Sequence, residues 1–220
     1  MFNVTRPLPA PECLSKNQYN TAEVVELLEP MFFGKCYLCE QDALSDPEIE
    51  HFDPHENDNV KKFAWNNLYY ACSRCNGIKS NGHKNLLDCC DPTIDMCKAI
   101  KCIMPSIPDN PIEVTPMINP PSAELTNTVA LLSKCYNESN TALRGISRIS
   151  LSNKIFENYC EFINYRNILK NKKSTAKEKE HAKDRIEAML KVNFPFAIFW
   201  RWHLLSDAFL SKELQDLTTF

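Results

Sequence analysis

Two Cys-x-x-Cys pairs, Cys36/Cys39 and Cys72/Cys75, constrain this chain more than any other feature. Four thiolates at such spacing can close a tetrahedral metal knot, which lets a short stretch of chain fold without a large apolar core of its own. Cys36 follows the end of an expected helix, and Cys72 opens another, where amide dipoles favour thiolate. The chain carries 11 cysteines. Its start, Met1-Phe-Asn-Val-Thr-Arg-Pro, has no basic residues leading into an apolar block, so no signal peptide and a cytoplasmic location are expected. Reduced thiols then favour metal ligation over a disulfide framework, with Zn2+ as the natural occupant. Cys89, Cys90, Cys97 and Cys102 form a looser group. Adjacent cysteines chelate one ion poorly, so these, with Cys13, Cys135 and Cys160, read as core or surface thiols rather than a second metal site.

Inside and just after the knot lie Glu50-His51, Asn67 and Asn76. Phosphodiester hydrolysis needs a deprotonated water, neutralised charge on phosphorus and help for the departing oxygen, which one imidazole and one divalent ion can supply. Oxygen donors suit Mg2+ or Mn2+, whereas sulfur donors hold Zn2+ in a closed structural site. Asn66 competes with Asn67 for the same role. Arg74 and Lys79 either contact phosphate from a short exposed helix or are simply solvated. His55 and His83 sit among polar loop residues and are expected to face solvent.

Apolar spacing predicts a helix from Thr21 to Phe33, capped by Asn20 with Glu23 in a capping box and stopped at Gly34. Ile49–Phe52 reads as a short strand, Asn67–Cys72 as a second strand or turn and Ser73–Ser80 as a short helix, giving the order strand, loop, strand, helix. Six prolines between residues 103 and 121 exclude a continuous helix and mark a linker or an irregular wrapping segment, where a domain boundary is expected. Beyond it, Ala123–Cys135, Leu143–Leu169, Ala176–Val192 and Phe196–Leu210 are predicted helices, with Thr175 and Glu178 as a capping box. The expected division is an arm and helix (1–34), a core with the four-cysteine zinc site (35–102), the linker (103–121) and a helical region (122–220). Phe194, Phe196, Ile198, Phe199, Trp200, Trp202, Leu204 and Leu205 exceed what one helix face needs, so the last helix is read as core, with partner docking second.

The net charge of −3 hides an asymmetry: residues 1–60 carry 3 basic and 12 acidic residues, residues 144–192 carry 12 and 6. With so little general pull on phosphate, nucleic-acid affinity must come from a local surface or a partner. The basic run Lys170–Arg185 is interleaved with acids and reads as a solvated helix face. The longest apolar stretch, Phe194–Trp200, is far too short to span a bilayer, so no membrane role is expected.

The ordered elements Cys36-x-x-Cys39, Glu50-His51-Phe52-x-Pro54, Trp65-x-Asn67-Leu68 and Ala71-Cys72-x-x-Cys75-Asn76-x-x-Lys79 resemble the HNH endonuclease family over about residues 35 to 80. That resemblance implies an α+β, mostly helical protein with a small zinc-stabilised ββα-metal (HNH) unit and an α-helical C-terminal region. It also implies roles. His51 is the general base, and Asn67 fixes the loop that carries it. Glu50 and Asn76 hold the catalytic Mg2+ or Mn2+, while Cys36, Cys39, Cys72 and Cys75 hold structural Zn2+. Beyond residue 90 the likeness is one of layout only, to the HNH subunits of Septu anti-phage systems and of retron-associated effectors. It implies a PtuA-like ABC-type ATPase as partner and a DNA target. The alternative is transfer RNA, in a retron-type system with a reverse transcriptase and its RNA/DNA hybrid. Two other readings stay open: a zinc module that binds nucleic acid without cutting it, and an assembly subunit whose apolar tail matters more than its site.

Overall fold

The computed structural model describes residues 1–139 and 145–219. The chain is a mostly helical α+β protein with two small antiparallel sheets. After a 3-10 turn at Glu12–Lys16 comes α1, Ala22–Met31, which buries Val24, Leu28 and Met31. Thr21, not Asn20, caps it, its hydroxyl accepting from the Val24 N–H at 3.4 Å. Glu23 makes no capping box and instead accepts from the Glu12 N–H at 2.6 Å, tying the preceding turn to the helix. Pro30 lies in the last turn, and Gly34, at φ +67°, closes the helix with a 2.7 Å bond from its N–H to the Glu29 carbonyl.

The expected strand, loop, strand, helix order follows. Strand β1, Pro47–His51, pairs with β2, Leu68–Cys72, in the register Glu48↔Ala71, Glu50↔Tyr69 and His51↔Leu68. The loop between them carries α2, Asn59–Lys62, capped by Asp58, and a 3-10 turn at Trp65–Asn67. Helix α3, Ser73–Lys79, starts on the residue after β2 and packs on the hairpin. Every residue of β2 is buried. The N-terminal arm straps the hairpin from outside: Arg6 donates to the carbonyls of Trp65 (2.8 Å) and Leu68 (3.0 Å), and the Trp65 indole donates to the Pro7 carbonyl (2.9 Å).

A short α4, Met96–Ala99, leads into β3, Ile100–Ile103, which pairs with β4, Glu113–Pro116. The stretch expected as a linker therefore contributes a strand. Proline forbids a helix there but not an edge strand whose last residue is Pro116. The C-terminal helices are α5 (Ala123–Asn137), α6 (Arg148–Lys170), α7 (Ala176–Leu190), α8 (Ala197–Ser206) and α9 (Leu210–Glu213). The expected helix start at Leu143 lies outside the described residues. Thr175 and Glu178 form the expected capping box at the start of α7.

Helix α8 belongs to the core: Ala197, Ile198, Phe199, Trp200 and Leu204 are buried. The Trp202 indole donates to the carbonyls of Cys97 (3.0 Å) and Ile100 (2.8 Å). Lys35, beside the first cysteine pair, donates to the carbonyls of Val192 (2.6 Å) and Phe194 (2.9 Å). The segments expected on either side of a linker thus share one buried cluster. Among the described residues no helix is long and apolar enough to cross a membrane.

Candidate functional site

The four knot cysteines come from three elements: Cys36 and Cys39 from the turn after α1, Cys72 from the end of β2, Cys75 from the first turn of α3. The turn is held to the sheet by the Tyr37 N–H, which donates to the Tyr70 carbonyl at 3.0 Å. All four sulfurs are buried and lie within 4.8 Å of one another, with Cys39 and Cys72 at 3.8 Å. Zn–S bonds of about 2.3 Å set tetrahedrally require sulfurs about 3.8 Å apart, so the cluster fits Zn2+. Burial pushes the Cys36 thiol up, but hydrogen bonds from Cys39, Cys72 and Cys75 outweigh it and hold it well below its ordinary value. Cys39, bonded to Cys36 and Cys72, and Cys75, bonded to Cys135 and Cys36, are pushed well up. A dication among the four sulfurs would favour their thiolate forms.

His51 closes β1 and is half-buried. Its Nε2 lies 3.0 Å from the Lys62 carbonyl at the end of α2. A carbonyl can only accept, so Nε2 carries the proton and Nδ1 keeps its lone pair. Burial lowers the imidazole pKa below its ordinary 6.5, and the neighbouring His55 acts in the same direction. The ring sits between Tyr19 (centroids 4.8 Å apart) and His55 (4.7 Å). His55, expected in solvent, is half-buried against His51; His83 is half-buried near Lys134.

Asn67, only 8% exposed, bridges both ends of the loop. Its Oδ1 accepts from the Asp53 N–H (2.7 Å), and its Nδ2 donates to the carbonyls of Asp53 (2.8 Å) and Lys61 (2.9 Å). Asn66 is exposed. The loop that presents the Lys62 carbonyl to His51 is thus braced one residue away, at Lys61.

Glu48 and Glu50 alternate along β1 and so share a face, which meets Asn76 and Lys79, three apart on α3. Glu50 and Asn76, expected to converge, turn to different partners. Lys79 Nζ lies 2.7 Å from Glu50 Oε1 and 2.8 Å from the His51 carbonyl. The Asn76 amide donates to Glu48 Oε2 at 2.5 Å. Glu50 is 4% exposed, and among the described residues nothing hydrogen-bonds its buried Oε2. Burial raises its pKa to about 7 despite Lys79. That oxygen, Glu48 and the Asn76 carboxamide oxygen are each hard donors of the kind Mg2+ or Mn2+ takes. Glu48 was missed in the sequence, although its two-residue spacing from Glu50 was the available signal.

Arg74 and Lys79 require a correction, because neither stands on an exposed helix. Arg74 is 1% exposed, and its guanidinium donates to the carbonyls of Cys135 (3.1 Å) and Glu138 (2.6 Å) at the end of α5. Lys79 is buried on Glu50. In the looser cysteine group, Cys89 and Cys90 gather with Asp88, while Cys97 and Cys102 stay apart from them. Asp88 already accepts from the Tyr69 hydroxyl and, at 2.7 Å, from the Cys90 N–H. Arg6 stands 3.4 Å from the Cys90 sulfur, an arrangement already satisfied by protein groups.

No family model matches the chain, and no solved structure matches it. A curated protein described as "Septu protein PtuB", from Bacillus mycoides (strain KBAB4), is 37% identical to it over 73 residues. The match covers 26% of this chain and 25% of that protein, so it spans about a quarter of the length of the relative.

Proposed function

We propose that this protein is a metal-dependent endonuclease of the HNH type that hydrolyses phosphodiester bonds of nucleic acid, and that it is the nuclease subunit of an anti-phage complex. The single observation that carries the reading is the His51–Lys62 bond, which leaves a neutral, oriented imidazole with Nδ1 free to accept a proton. In this reading His51 Nδ1 takes the proton from the attacking water. Asn67 keeps the Lys62 carbonyl in place, so the imidazole holds its tautomer. Glu50, Glu48 and Asn76 would hold Mg2+ or Mn2+, which when bound neutralises charge on the phosphate and the departing oxygen. Lys79 fixes the Glu50 carboxylate and leaves its second oxygen free. The four-cysteine cluster would hold structural Zn2+ and clamp the first cysteine turn, β2 and α3 together.

The partial likeness to a Septu protein supports a place in anti-phage defence. A PtuA-like ABC-type ATPase is the proposed partner and DNA the proposed target. The net charge of −3 fits a nuclease that borrows its placement from a partner. A non-catalytic zinc module is the second reading, favoured by one observation: the Lys79 ammonium already sits on Glu50, where the catalytic cation would bind. The test is incubation of the full chain, alone and with a PtuA-like ATPase, with duplex DNA, single-stranded DNA and transfer RNA in Mg2+ or Mn2+. Cleavage of DNA is expected. Cleavage of transfer RNA alone would move the target to the retron type, and binding without any cleavage would favour the zinc module.

A further inference from the structure

A cleft of about 450 Å³ is lined by Tyr19, Lys62 and Phe63 together with Asn17, Gln18, Asn20 and Thr21, and two of these residues, Tyr19 and Lys62, also touch His51. We propose that this cleft is a subsite for one unpaired nucleobase of a single-stranded nucleic acid and the phosphate next to it. The inference rests on the nuclease reading, because it takes His51 as the point where the chain is cut.

Two of the lining residues are aromatic. The Tyr19 and Phe63 rings lie 6.2 Å apart and tilted by 54°, so neither covers the face of the other, and both are half-buried. A base can stack on such rings whatever its identity, since every base has a π-face. The cation is Lys62, whose Nζ sits 5.9 Å from the Tyr19 ring centre and 5.6 Å from that of Phe63. Among the described residues no carboxylate pairs with it, which leaves its charge for phosphate. Just after a stretch, residues 1–60, that carries four acidic residues for each basic one, an uncancelled lysine between two rings is a local exception. Asn17, Gln18 and Asn20 each offer a donor and an acceptor, the pair a base edge presents.

Two residues join this cleft to the base. Tyr19 walls the cleft and also packs edge-on against the His51 ring at 4.8 Å. Lys62 lends its ammonium to the cleft and its carbonyl to His51 Nε2. A nucleotide seated there would lie one side chain away from the imidazole, across Tyr19 and Lys62.

The experiment measures binding of fluorescein-labelled single-stranded DNA and RNA of about 12 nucleotides to the full chain by anisotropy, without added Mg2+ or Mn2+. Tyr19→Ala and Phe63→Ala are each expected to weaken binding about tenfold. Tyr19→Phe should bind like the wild type. Lys62→Met should flatten the salt dependence. Phe63→Leu, which keeps apolar bulk without a π-face, should fall with Phe63→Ala, and unchanged circular dichroism and zinc content separate lost stacking from lost folding. The DNA and RNA arms tell which sugar is preferred, and duplex DNA should bind less well than either. Unchanged binding by Tyr19→Ala and Phe63→Leu, or no binding of either strand by the wild type, would overturn the subsite. Intact, ring-dependent binding with no cleavage in Mg2+ would instead sink the nuclease reading and leave the subsite standing.

Discussion

His51 Nε2 donates to the backbone carbonyl of Lys62 across 3.0 Å, from a strand end to the end of a short helix eleven residues later. The bond sets the tautomer, and Asn67 sets the bond, because its carboxamide grips Lys61 next door and Asp53 on the opposite side of the loop.

Asn67→Ala should therefore act on the base without touching it. Removing a buried carboxamide with three backbone partners costs about 2–3 kcal/mol, since the partners lose their bonds while staying shielded from water. Cleavage should fall about 100-fold or more, because misplacing the imidazole by about 1 Å is enough for that. Thermal unfolding with single-turnover kinetics checks both. Wild-type stability and rate in this variant would contradict the bracing role.

Much of this site was legible in the residues and some was not. Four cysteines at matched spacing define a cluster whatever surrounds them, and the alternation and turn residues around Ile49 and Leu68 marked both strands to within two residues. Thr21 and Asn20 are adjacent good caps, and only the backbone decides between them. The Lys62 acceptor is a carbonyl, which every residue has, so no side-chain pattern could have pointed to it. Arg74 reads as a solvated helix cation until the end of α5 arrives from sixty residues away to take its bonds. Likewise, proline density excluded a helix at residues 103–121 but said nothing about the four-residue strand that pairs with β3.

Zinc removal is a second test. Cys72→Ser should lower zinc content from one equivalent to a small fraction and lower the melting temperature by about 10 °C, which for a chain of this size corresponds to about 3–5 kcal/mol. Metal analysis with calorimetry checks it. Full stability without zinc would show that the buried core alone holds the knot residues in place.

The acid limb of activity should depend on metal concentration. Glu50 holds its proton up to about pH 7, so in the proposed site the cation would compete with that proton, and apparent Mg2+ affinity should rise with pH until about 7 and then level. At low Mg2+ the half-activity pH should sit near 7. At saturating Mg2+ it should move below 6.5, where His51 protonation would become limiting, since the proposed reaction uses the neutral imidazole. The same shift has a stability sign. The folded state binds the Glu50 proton more tightly than the unfolded chain, so its contribution is complete below about pH 4.5 and is lost as pH rises through about 7, by about 3 kcal/mol in the metal-free protein. A limb that ignores Mg2+ concentration would contradict the assignment of Glu50.

Arg74→Ala separates a structural cation from a phosphate contact. It leaves carbonyls at the end of α5 without their donor, so it should destabilise by about 2–4 kcal/mol, the cost of losing charge-assisted hydrogen bonds to buried acceptors. The salt slope of nucleic-acid binding by the fraction still folded should stay that of the wild type. A lowered slope at unchanged stability would restore Arg74 as a phosphate contact.

The decisive measurement is the single-turnover cleavage rate of His51→Ala in saturating Mg2+ or Mn2+, beside a wild type of equal zinc content and melting temperature. Loss of the proton acceptor should slow cleavage by about 100-fold to 10,000-fold. Equal rates for the two proteins would mean that the imidazole held by Lys62 takes no proton in the reaction, and that cleavage, if any, occurs elsewhere on the molecule.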